Sequence, residues 1–122
     1  MRFGRFPATG DPSSWTTEEP GSFPLATFAD LASVRHHRDV VVLDVRRASE
    51  HDADHIDGAV NIPIHEIADR AHDVPDGEVW VHCASGYRAS IAASFLAAAG
   101  RDLVAVDDEY DKAQEAGLPI IS

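Results

Sequence analysis

Two kinds of apolar pattern alternate along the chain. Residues 40–43, Val-Val-Val-Leu, form an unbroken β-branched run, which suits a strand covered on both faces in a parallel sheet. Similar runs recur at residues 79–82 and 103–106, and residues 23–26 predict a short first strand. Between these runs the apolar positions take a helical period or give way to polar sequence. Thr27 precedes Phe28, Leu31 and Val34, spaced by three, so it is expected to cap a helix. Further helices are predicted at 48–54, at 64–71 and, rich in alanine, at 88–99. Gly100 falls where a left-handed helix cap is expected, and Pro75, Asp76 and Gly77 punctuate the approach to the strand at 79. Residues 109–116, followed by Gly117 and Pro119, predict a short terminal helix.

Strands alternating with helices predict an α/β fold with a parallel sheet and helices on both faces. Residues 1–22 break the alternation. They are rich in Gly, Pro, Ser and Thr, and Phe3, Phe6 and Trp15 follow no period, so they are expected to form an extended or flexible arm before a single domain at 23–122. The chain has 122 residues, 44% of them hydrophobic, enough for one buried core.

A formal net charge of -11 argues against nucleic acid or an anionic membrane surface as partner. An anionic substrate then needs a local positive site. No run approaches the roughly 18 apolar residues of a membrane span, and residues 1–25 lack a signal peptide's apolar stretch. A cytoplasmic protein is expected. Cys83 has no second cysteine to pair with, so it is either an inert core residue or the purpose of the protein.

Its surroundings favour chemistry. The strand at 79–82 runs into Cys83, through Ala84, Ser85 and Gly86, to Tyr87, Arg88 and a helix. The sulfur therefore sits at the carboxyl end of a strand, where open α/β sheets bind ligands. Small loop residues let the backbone turn its N–H groups inward, and with the following helix dipole these favour a thiolate. Arg88 adds a fixed charge that can pair with two oxygens of an anionic donor. His82 alternates to the opposite face of the strand from Cys83. His51 and His55 are four apart, but no third metal ligand is evident.

With these residues in view the chain resembles the rhodanese family of sulfurtransferases, from about Phe23 to Pro119. The segment from Cys83 to Arg88 is similar to that family's six-residue active-site loop. Leu43-Asp44-Val45-Arg46, with Glu50 after it, resembles its Asp-x-Arg strand end. His55-Ile56-Asp57-Gly58-Ala59-Val60-Asn61-Ile62-Pro63 resembles a third family segment. The resemblance implies a five-stranded parallel sheet, Cys83 as persulfide carrier, and the amides of Ala84, Ser85, Gly86, Tyr87 and Arg88 as cradle for the outer sulfur. It also implies that Asp44 and Arg46 support the loop. There are departures: Asp108, Glu109 and Ala113 stand near positions where the family often has a Gly-Gly pair and a Trp, and Asp54 stands where a Gly commonly precedes the His. A carboxylate pair at 108 and 109 is expected to repel anionic donors from the pocket rim.

The implied reaction takes sulfane sulfur from thiosulfate or a persulfide onto Cys83 and passes it to a thiol or cyanide, without metal or organic cofactor. Two other readings remain open. A sulfur-relay or non-catalytic module would serve a protein acceptor, such as a metallo-hydrolase-like partner of sulfur metabolism. A cysteine phosphatase or arsenate reductase would use a similar Cys-to-Arg loop, but one residue longer than the four that separate Cys83 from Arg88.

Overall fold

In the computed structural model, which describes residues 23–122, five parallel strands form one sheet in the order β1-β6-β5-β2-β4. They are β1 (Leu25–Ala26), β2 (Val41–Asp44), β4 (Val60–Asn61), β5 (Val79–His82) and β6 (Leu103–Val106). The expected arm at 1–22 lies outside the described residues. A second, antiparallel pair joins β3 (His55–Ile56) to β7 (Ile120–Ile121). Neither of these, nor β4, is legible as a strand in sequence, because each lies outside any longer apolar run.

β5 is central, pairing with β2 on one side and β6 on the other. All four of its residues are buried, the apolar Val79, Trp80 and Val81 and also His82. The strand alternation divides the core. Val79, Val81 and Cys83 pack with Ala89, Ala92, Ala93 and Leu96 of α4 (Tyr87–Ala98) and Ile67 of α3 (Ile67–Arg70). Trp80 packs on the other face with Phe28 and Leu31 of α1 (Phe28–Arg35) and Ala113 of α5 (Asp111–Glu115). Helices therefore cover both faces, as predicted. The positions 89, 92, 93 and 96 make one apolar stripe; three of them are alanine, which brings α4 close to the sheet. Fully burying Leu96 contributes about 1.5–3 kcal/mol.

Local signals act as expected at several helix ends. Thr27 Oγ1 accepts from the Asp30 amide while the Thr27 amide donates to Asp30 Oδ2, a reciprocal capping box. The predicted helix at 64–71 is instead broken into a 3-10 turn at Ile64–Glu66, α3, and a second 3-10 turn at Ala71–Asp73. None of the three has a capping side chain. α2 (Ala48–Ala53) buries none of its residues, so the segment is held by its contacts with the site and not by the core. Among the described residues no helix is long and apolar enough to cross a membrane.

Candidate active site

Cys83 follows the last residue of β5 and is 1% exposed. The chain must then turn sharply to enter α4, and Gly86 makes that turn with φ of 101°, a region costly for residues with a Cβ. A Cβ at Gly86 would stand 2.6 Å from Asp107 Oδ1 and 3.3 Å from Asp107 Cα. Glycine is therefore needed here twice, for its backbone angle and for space. The turn brings two amides onto the sulfur: Gly86 N–H donates to Cys83 Sγ at 3.0 Å and Ala89 N–H at 3.3 Å. The second lies one residue past the expected cradle of 84–88, because the first turn of α4 points its unbonded amides back toward the strand end.

The other candidate residues divide into loop and support. Ser85 and Tyr87 are exposed at the loop mouth, whereas Ala84 and Arg88 are half-buried. Arg88, expected to await an anion, donates from Nη1 to Glu50 Oε1 at 2.8 Å and from Nη2 to Glu50 Oε2 at 3.2 Å. Glu50 Oε1 also accepts the Arg47 amide at 2.7 Å. The Arg88 hydrogen bonds are the main reason that Glu50 is held down to about 2.

Asp44 and Arg46 form the network behind the loop. Asp44 is fully buried at the end of β2, in register with His82. Its carboxylate takes the Arg46 amide at 3.0 Å and two nitrogens of the Arg46 side chain, Nε at 3.0 and 3.1 Å and Nη2 at 2.9 Å. His51 Nδ1 lies 2.8 Å from the same carboxylate. Burial alone would raise the Asp44 pKa, but the Arg46 hydrogen bonds and its other partners leave it below the ordinary value. Arg46 Nη2 also donates to the Asp54 carbonyl at 2.7 Å. Asp54 is extended, with φ of -166°, so a glycine is not required there.

Arg46 lies over the ring of Tyr110, 4.0 Å from its centroid, and the Tyr110 amide donates to the Ala84 carbonyl at 2.8 Å. Asp44, Arg46, Tyr110 and the loop thus form one connected chain of contacts. Tyr110 carried no distinguishing signal in sequence. Burial pushes its phenol up to about 12. His82 faces away from Cys83, as predicted, and stacks on Tyr110 with centroids 5.7 Å apart. Burial holds its imidazole down to about 4. His51 and His55 stack at 3.8 Å, and among the described residues no cluster of His, Cys, Asp or Glu has the geometry to hold a metal ion.

The expected repulsion from Asp108 is not what its geometry favours. Its Oδ2 accepts the Phe28 amide at the start of α1 and its Oδ1 the Glu109 amide, so the carboxylate is engaged at a helix N-terminus. Glu109 is exposed and Ala113 is buried in the core. The carboxylate that crowds the loop is Asp107.

Comparison with known proteins yields a consistent set. The family model for the rhodanese-like domain matches residues 27–116. The HTH-type transcriptional regulator Rv0324 of Mycobacterium tuberculosis is 37% identical over 97 residues, which is 77% of this chain and 43% of that protein. YrkF of Bacillus subtilis, a candidate sulfur carrier protein, is 37% identical over 80 residues, 64% of this chain and 43% of its own. The chain thus spans less than half of each relative. The crystal structure of a rhodanese-related protein from Thermoplasma volcanium superposes with a TM-score of 0.73 at 30% identity, covering 81% of this chain and 98% of the other.

Proposed function

The chain belongs to the rhodanese-like domain family, and on that premise we propose that it is a sulfurtransferase that carries sulfane sulfur on Cys83. The observation that carries this reading is the pair of amides, from Gly86 and Ala89, directed at a sulfur at the end of the central strand. Such donors stabilise negative charge on sulfur without a metal or cofactor. The Cys83 thiolate attacks the outer sulfur of thiosulfate or a persulfide. The donor's S–S bond breaks, and sulfite or a thiolate leaves with the bonding pair. An acceptor thiolate or cyanide then attacks the stored outer sulfur, and Cys83 departs as thiolate, a two-step cycle with ping-pong kinetics. Amides of Ala84, Ser85, Tyr87 and Arg88 cradle the outer sulfur; those of Tyr87 and Arg88 lie in the first turn of α4 and have no carbonyl one turn back.

A relay role is the second reading. It is favoured by the relatives, since the matching segment is 43% of a transcriptional regulator and of a candidate sulfur carrier. In that reading the acceptor is a protein thiol, on another domain or on a metallo-hydrolase-like partner.

Intact mass after incubation with thiosulfate or glutathione persulfide, for wild type and Cys83→Ser, tests both. A gain of about 32 Da that requires Cys83 and is removed by cyanide as thiocyanate supports the transferase. A gain that only a protein acceptor removes supports the relay. No sulfur adduct from any donor sinks both.

A further inference from the structure

The loop arginine is already occupied. Arg88 and Glu50 form a two-pronged pair, and Glu50 is held in place from a third side by the Arg47 amide. Arg88 is only 26% exposed, as is Glu50, so the pair is partly shielded from water and salt. Among the described residues, the clefts near this pair add carboxylates and no free cation. On one side of the loop a cleft of about 380 Å³ is lined by Ser85, Gly86, Tyr87 and Asp107 among others. A second cleft, of about 660 Å³, is lined by Glu50 and Tyr110 but by no loop residue, and carries Asp54, Asp111 and Glu115 around Arg46, whose guanidinium is committed to Asp44 and the Asp54 carbonyl.

This arrangement acts differently on the two donor chemistries. Thiosulfate brings two negative charges to the Cys83 thiolate, so the encounter gathers three, and sulfite must then leave as a dianion. A persulfide of an uncharged thiol brings at most one, as R–S–S⁻, and none in the protonated form R–S–SH, whose outer sulfur is the one attacked. Cys83 bonds to its outer sulfur, the R–S bond to that sulfur breaks, and R–S⁻ leaves with the electron pair and takes up the proton the outer sulfur carried. RSH departs and Cys83–S–S⁻ remains, one negative charge before and after. The first reaction gains far more from a free cation at the mouth than the second.

We propose that Glu50 is a specificity-determining residue: by holding the Arg88 guanidinium it disfavours thiosulfate, and the site takes its sulfur from persulfides of low charge. The inference rests on the sulfurtransferase reading and narrows it to a donor class.

The test compares kcat/KM for thiosulfate and for N-acetylcysteamine persulfide, in wild type and Glu50→Gln. Wild type is expected to favour the persulfide. Glu50→Gln frees Arg88, and kcat/KM for thiosulfate is expected to rise about tenfold through KM, with the persulfide value changing by less than about twofold. A purely structural role for Glu50 would instead lower kcat for both donors alike, and that result overturns the proposal. If the variant does not fold, wild type still decides. A preference for thiosulfate, or a thiosulfate kcat/KM that falls as ionic strength rises from about 0.02 M to about 0.3 M, means that an available cation recruits the dianion and overturns it. A rise with salt, together with persulfide preference, supports it. Failure of every donor to load Cys83 would strike the sulfurtransferase reading itself, whereas loading with a thiosulfate preference strikes only the selectivity.

Discussion

Gly86 donates its amide to the sulfur of Cys83 at 3.0 Å, and its φ of 101° then turns the chain into α4, whose Ala89 amide reaches the same sulfur at 3.3 Å. Gly86→Ala is therefore expected to do two kinds of harm. The strained angle and the approach to Asp107 should destabilise the fold by about 1–3 kcal/mol. Displacing the amide should also slow sulfur loading of Cys83 by about tenfold or more. Urea unfolding and a time course of the persulfide mass read the two separately, and a variant that loads at the wild-type rate would show that this amide does not matter.

Asp44→Ala leaves the Arg46 guanidinium, with only 6% of its side chain exposed, without its carboxylate. Removing one partner of a buried pair is expected to cost about 3–5 kcal/mol. The urea midpoint should fall with an unchanged m-value. A loss under about 1 kcal/mol would mean that Arg46 finds water or another acceptor.

The protein should lose stability in mild acid through His82. Its imidazole lies at about 4 in the folded state against 6.5 ordinarily. Above pH 6.5 both states are neutral there and it contributes nothing to pH dependence. Between 6.5 and about 4 the unfolded chain binds a proton that the folded chain refuses, so stability falls as pH falls, by up to roughly 3 kcal/mol. Glu50 adds a second loss at lower pH, from its ordinary 4.5 toward about 2, as its pair with Arg88 is protonated away. Thermal unfolding from pH 7 to pH 4 should show a slope that His82→Leu flattens. An unchanged slope in the variant would assign it elsewhere.

Asp108→Ala removes the acceptor for the Phe28 amide at the start of α1. The expected cost is about 1 kcal/mol of stability, with sulfur loading by either donor unchanged. A gain in thiosulfate loading would restore Asp108 to the pocket rim.

Much of this protein is determined by residues next to one another. The β-branched runs of β2, β5 and β6 declare strands covered on both faces, because only a doubly buried strand tolerates continuous apolar sequence. The Thr27 cap, the alanine stripe of α4 and the turn through Gly86 are likewise local. So is the position of Cys83 at a strand end before a helix. The two-residue strands β3, β4 and β7 carry no such signal, since their pairing depends on neighbours brought up from elsewhere in the chain.

What only the tertiary structure decided is which charges meet. Sequence presented Arg88 as a free cation, yet folding brings it against Glu50, 38 positions away. It presented Asp108 as a rim carboxylate, yet folding turns it onto α1, 80 positions away. Tyr110 joined the site through its amide on Ala84 and its ring beneath Arg46, neither of which leaves a mark in sequence. Backbone propensity and hydrophobic period act over a few residues and can be read along the chain, whereas an ion pair acts across space and exists only once the sheet has brought its partners together.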